Sequence, residues 1–186
     1  MDYDWNKEGI DIRFISTYKG GNNLYKVVYF VFAYVKIAVA LMTWRPDVVY
    51  MHMSHHGSVS RKYCIHKLCM KYKVPDVIHL HGSEFESWYY ECPKRKQKKV
   101  RDLLVECNNL ITLGEEWSRR ILAIEPKTHV FVINNTIHIP REMIRWNEKC
   151  LNVLFLGVLV KRKGVADLLD AIALYKRKYG QGRMHF

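Results

Sequence analysis

His79-Leu80-His81-Gly82-Ser83-Glu84-Phe85 is the stretch whose residue types could do chemistry. It continues a short apolar run, 77–80, and a strand sends alternate side chains to opposite faces, so His79 and His81 share one face at the strand's exit. Imidazole can exchange a proton near neutral pH, make hydrogen bonds or bind a metal. Gly82 lets a ligand approach the backbone closely, and Ser83 and Glu84 add a hydroxyl and a carboxylate. The plain alternative is a sheet edge that tolerates polar residues. An H-x-H pair with no assignable third ligand is thin support for zinc, so no metal site is expected. His52, His55 and His56 form a second group, read as a polar loop beside a sheet edge in preference to a metal trio.

Two basic stretches could meet anions. Residues 158–164 (VLVKRKG) carry three consecutive cations between Gly157 and Gly164 and lead into a helix. Helix N-termini attract anions, so Lys163 with the two glycines suits a phosphate, although neither G-x-G-x-x-G nor a P-loop is matched. A solvated basic turn is the alternative. Residues 94–101 (KRKQKKVR) place six cations in eight positions, enough to cover one side of a helix. That side is either solvated or set against anionic lipid headgroups, where each Lys or Arg is worth about 1 kcal/mol. Lys94, Arg95, Lys98 and Lys99 are the expected membrane-facing residues. No nucleic-acid-binding module accompanies the charge, so nucleic acid is not an expected partner. Glu115-Glu116 suits a helix start, and Asn134-Asn135 an ordinary turn after a strand.

The composition supports a packed protein. Of 186 residues, 49% are apolar and 26% charged, which excludes a disordered chain. The net charge of +12 points to an anionic partner: membrane surface, polyanion or phosphorylated ligand. Five cysteines without a C-x-x-C pair are expected as reduced thiols in a cytoplasmic protein. The polar, acidic start MDYDWNKEG is unlike a secretory leader.

The elements that must position these residues follow from the patterning. Strands are expected at 10–16, 47–53, 77–80, 109–113, 130–133 and 151–157, and helices at 24–44, 61–73, 93–105, 115–124 and 165–179. Segment 24–44 is long enough to span a membrane, but Lys36 in its middle would cost about 2.5–3.5 kcal/mol. It is read as a buried or half-buried core helix, with membrane-surface contact second. Alternating strands and helices predict an α/β, Rossmann-like open parallel sheet, with ligands bound beyond the C-terminal strand ends. Residues 138–150 read as a linker.

Taken in order, PDVVYMHM, VIHLHGSEF, VINNTI and LNVLFLGVLVKRKGVADLLDAI resemble the retaining GT-B glycosyltransferases of family 4, nearest to the branch that builds bacterial surface polysaccharides. The resemblance implies that 1–150 form the acceptor-side N-terminal lobe lacking its first strand. It implies that 151–186 begin the C-terminal, nucleotide-sugar lobe, with its first strand and helix. The implied activity is transfer from a nucleoside-diphosphate sugar to a lipid-linked or polysaccharide acceptor, with retention, no cofactor and no essential metal. His81 corresponds to the histidine facing the donor sugar. Gly82, Ser83, Glu84, Asn135, Gly157, Lys163 and Gly164 are the implied substrate-binding residues. Val158 stands where the family usually has a diphosphate-neutralising Arg, and no E-x7-E motif follows. This stretch alone is therefore expected to be inactive. The implied location is cytoplasmic, peripheral at the inner face of the cell membrane. The competing expectation is a non-enzymatic basic α/β module that binds an anionic membrane surface or polyanion.

Overall fold

The computed structural model describes residues 4–82, 84–136, 151–180 and 184–185. It divides into two units, Met1–Thr136 and Ile137–Phe186. The first opens with a 3-10 turn, Trp5–Glu8, followed by an extended segment and helix α1, Asn23–Thr43. Then come β1 (Val49–Met53), α2 (Gly57–Tyr72), β2 (Asp76–Leu80), α3 (Phe85–Glu91), α4 (Lys94–Glu106), β3 (Asn109–Thr112), α5 (Glu115–Ile124) and β4 (Val130–Val132). The four strands form a parallel sheet in the order β1-β2-β3-β4. The fold is thus α/β with an open parallel sheet, compatible with a Rossmann-like architecture.

Strand order fixes where the helices go. Each crossover leads to the adjacent strand in the same direction, and crossovers are right-handed, so α2 to α5 gather on one face of the sheet. The core matches this placement: Met51, Met53, Ile78, Leu80 and Leu110 pack with Ile65 and Leu68 of α2, Phe85 and Trp88 of α3, Leu103 and Leu104 of α4, and Ile121 of α5. Residues of the opposite phase line the other face. There Tyr50 and Phe131 are half or more exposed, and His52 is exposed.

A buried polar clamp ties the helical layer to the sheet. His66 of α2 has Nδ1 2.9 Å from Asp76 Oδ2 on β2 and Nε2 3.3 Å from Glu106 Oε2 on α4, with Lys67 also paired to Glu106. The backbone N–H of Asp76 donates to Asn108 Oδ1 at 3.1 Å, linking the starts of β2 and β3.

α1 begins where Asn22 Oδ1 accepts the Tyr25 N–H at 2.8 Å, a side-chain N-cap. Gly21, at φ 147°, leaves no room for a side chain: a Cβ would lie 2.8 Å from the Tyr25 ring. The helix packs beside α2, yet only Ala33, Ile37 and Leu41 are buried, one stripe at i, i+4 and i+8. Leu24, Val31, Phe32, Val35 and Val39 are exposed. The core-helix expectation therefore holds only for that stripe. By length and composition α1 is apolar enough to cross a membrane.

Three further expectations change. Residues 10–16 form no strand: an alternating pattern becomes one only with a ladder partner, and this segment has none among the described residues. Between the expected strand at 77–80 and helix at 93–105 stands an unexpected short helix, α3, whose Phe85, Trp88 and Tyr89 bury one face at i, i+3 and i+4. In the second unit only Leu151–Asn152 of the expected 151–157 strand is paired, with Met184–His185 in parallel. That unit's helix α6, Val165–Tyr179, has no buried residue. The expected linker at 138–150 lies outside the described residues.

Candidate functional site

The C-terminal edge of the sheet carries a cluster built from two neighbouring strands. His52 on β1 is the register partner of His79 on β2, and the His81 N–H donates to the Met53 carbonyl at 2.8 Å, extending the pairing past β2. All three rings meet on the face opposite the helices. Ring centroids lie 4.1 Å apart for His79–His81, 4.8 Å for His52–His81 and 5.7 Å for His52–His79. His52 Nδ1 and His81 Nε2 are 2.7 Å apart in a hydrogen bond.

His79 is the anchor, only 9% exposed. Its Nδ1 hydrogen-bonds the Tyr50 hydroxyl, while its Nε2 is buried without a partner. Burial first, then the neighbouring imidazoles, holds His79 below the ordinary histidine range. His81 is lowered for the same reasons, burial ahead of His52. Burial also raises the Tyr50 phenol, which keeps it neutral. His79 and His81 are therefore neutral rings at neutral pH, able to accept as well as donate hydrogen bonds.

The residues around it fall as follows. Gly82 is buried, and a Cβ there would touch Ser54 Cα at 3.4 Å and His55 at 3.5 Å, so the loop after β1 closes directly on it. Its carbonyl accepts the Phe85 N–H at 3.2 Å, turning the chain into α3. Glu84 faces His55, Oε2 to Nε2 3.4 Å, and Ser83 lies outside the described residues. His56, at φ 54°, begins α2 and stands edge-on to Trp88. The sequence grouping of His52 with His55 and His56 thus dissolves: His52 turns to the strand face, and the other two belong to the loop. The sequence did hold the signal, since Pro-Asp-Val-x-x-x-His occurs twice, ending at His52 and at His81. Two copies of one strand pattern side by side put equivalent histidines at one edge.

Asn135 follows β4, exposed, on the same sheet edge but two strands from β2, about 10 Å at ordinary strand spacing. Gly157, Lys163 and Gly164 belong to the second unit. Lys161–Lys163 make one 3-10 turn, and Gly164, at φ 74°, passes the chain into α6. Lys163 is exposed. Asp167 in the first turn of α6 lies over Gly164, 3.6 Å from where a Cβ would be, so a carboxylate already sits near this helix N-terminus.

On α4 the four residues expected to face a membrane, Lys94, Arg95, Lys98 and Lys99, are all exposed, while Gln97, Val100, Leu103 and Leu104 turn inward. Lys96 and Arg101 are committed elsewhere: Lys96 lies over the Trp88 ring at 5.0 Å, and Arg101 donates to the Tyr89 hydroxyl at 2.7 Å. Cys64, Cys69, Cys92 and Cys107 are free thiols. Burial pushes Cys69 and Cys107 up to about 12, which makes them inert rather than nucleophilic. No family model matches the chain, and no curated protein matches it.

Proposed function

We propose that the chain supplies the acceptor-side lobe, and the start of the nucleotide-sugar lobe, of a retaining GT-B-type glycosyltransferase that moves a sugar from a nucleoside diphosphate to a lipid-linked or polysaccharide acceptor. The observation that carries this reading is the position of His81. It leaves an interior strand of a parallel sheet at the C-terminal edge, where open α/β sheets take their ligands. In that role the ring hydrogen-bonds a sugar hydroxyl and orients the anomeric carbon, with His52 holding it from the side and Gly82 and Glu84 beside it. Leaving-group charge falls to Lys163 and the glycine-flanked turn at Gly157–Gly164, without an essential metal. The exposed cations of α4 fit an acceptor presented at an anionic membrane surface.

The test is transfer of labelled sugar to a lipid-linked acceptor, in an enzyme that joins this chain to the family's glycine-rich first strand–loop and its E-x7-E segment. Expected are a product of unchanged anomeric configuration and a drop in kcat of about 10²-fold or more in His81→Ala. Inversion at the anomeric carbon, or no transfer from any nucleoside-diphosphate sugar, overturns the reading.

The second reading, a non-enzymatic module on an anionic surface, rests on the same α4 face together with the exposed apolar side of α1. It predicts vesicle binding with no nucleotide-sugar chemistry.

A further inference from the structure

We propose that His52, His79 and His81 form a binding site for a late first-row divalent cation, zinc in particular, held by three imidazole nitrogens with a coordination position open to solvent. One potential ligand atom from each of the three lies within 4.8 Å of the others. Imidazole is the ligand type such ions favour, and three protein ligands with an open position are the pattern of reactive zinc sites.

Three details separate this cluster from a casual meeting of histidines. His79 is nine-tenths buried, and its Nε2 has no hydrogen-bond partner, a lone pair or N–H that the fold leaves unused. Its other nitrogen is fixed by Tyr50: with the proton on Nδ1, the ring donates to the phenol oxygen and frees Nε2 for a metal. Metal-bound histidines characteristically have such an oxygen behind them, which sets tautomer and ring orientation. Lastly, His52 and His81 come from adjacent strands that share a ladder, so the frame is rigid while both rings reach solvent.

The ion-free geometry needs two adjustments: nitrogens up to 4.8 Å apart must close in, and one hydrogen-bonded pair must part. Nitrogens on a tetrahedral zinc stand about 3.3 Å apart at bonds of about 2.0–2.1 Å. His52 Nδ1 and His81 Nε2, now 2.7 Å apart in a hydrogen bond, must separate by a small rotation of the exposed His52 ring. The inference does not rest on the sugar-transfer reading. His81 is common to both, so zinc and a sugar compete for it, and zinc inhibits transfer if that reading is right.

The test is titration of the untagged full chain with Co²⁺, followed by visible absorption, then displacement by Zn²⁺. Expected is one cobalt per chain, with the intense bands of a low-symmetry tetrahedral ion, bleached by zinc. His52→Ala and His81→Ala should each weaken binding at least about 10²-fold, and Tyr50→Phe, which removes the oxygen behind His79, about 10-fold. His55→Ala and Cys64→Ser should leave affinity unchanged. Because His52 and His81 are exposed, these variants keep the fold, which circular dichroism checks. Cobalt binding that survives in the His52→Ala/His81→Ala double variant, or wild-type binding no tighter than that variant's, overturns the proposal. Both outcomes are independent of any sugar-transfer result.

Discussion

Lys62 shows what a single buried charge costs this fold. Its side chain is 8% exposed and donates to Thr17 Oγ1 at 2.8 Å. Burial, helped by the neighbouring Arg61, lowers its pKa from 10.5 to about 8. With the folded value below the unfolded one, the unfolded chain binds more protons between the two. The neutral amine's contribution is therefore full above about 10.5 and lost as pH falls through about 8. At pH 7 the buried ammonium is a net cost, so Lys62→Met should gain about 1–3 kcal/mol in urea unfolding at pH 7, with the gain shrinking toward pH 10. A variant less stable than wild type at pH 7 would show that the Thr17 contact outweighs desolvation. The histidines illustrate how much of the site was legible. Two-residue alternation alone pairs His79 with His81, and burial makes His79 the deeper of the two. The repeated Pro-Asp-Val-x-x-x-His marks His52 and His81 as equivalent, but that the two are neighbours is decided by strand order and register, and neither is written locally. The half-buried cations of α4 were hidden for a related reason: Lys96 and Arg101 are drawn to aromatic residues of α3, a short helix that the sequence patterning does not mark.

Elements with their own period were readable; those that need a partner were not. α5 and α6 match the apolar spacing of their sequences to the residue, because a helix satisfies its own backbone. The segment at 10–16 has strand-like alternation but no ladder, and 151–157 keeps only two paired residues. α1 is legible only in part, because hydropathy measures composition rather than contact: of its 21 residues three are buried, with Phe30, Tyr34 and Ala38 packed partly buried against the core. That leaves an exposed apolar helix packed against α2 and an exposed basic helix, α4, on the other contacts of α2. If the two act together at a membrane, vesicle sedimentation should require anionic lipid and fade with salt, since exposed charges are screened over about 10 Å at 0.1 M. Changing Lys94, Arg95, Lys98 and Lys99 to Ala should abolish most of it, at about 1 kcal/mol for each cation. Equal binding to neutral and anionic vesicles would assign the interaction to α1 alone.

At the scale of the whole molecule, the monotonic strand order explains why a histidine cluster can stand open to solvent inside an all-parallel sheet. Among the described residues, helices on one face bury Met51, Ile78 and Leu110; on the other face Tyr50, His52 and Phe131 of the edge strands are exposed, while His79 and Ile111 of the interior strands are buried. Parallel sheets are ordinarily covered on both faces, and Tyr50, His52 and Phe131 are the part of this face that is exposed. The helical face is held by the His66–Asp76–Glu106 clamp, and the histidine cluster stands on the opposite face, so the two can be separated by mutation. His66→Ala leaves Asp76 buried without its ring partner and should cost about 3–5 kcal/mol in urea unfolding. The most direct test compares kcat for sugar transfer, per folded molecule, in His81→Ala and His66→Ala of the joined enzyme proposed above, with melting temperature followed alongside. His81→Ala should lose about 10²-fold or more at an unchanged melting temperature, and His66→Ala should keep near wild-type kcat at a lowered one. Wild-type kcat in His81→Ala would contradict the proposed function.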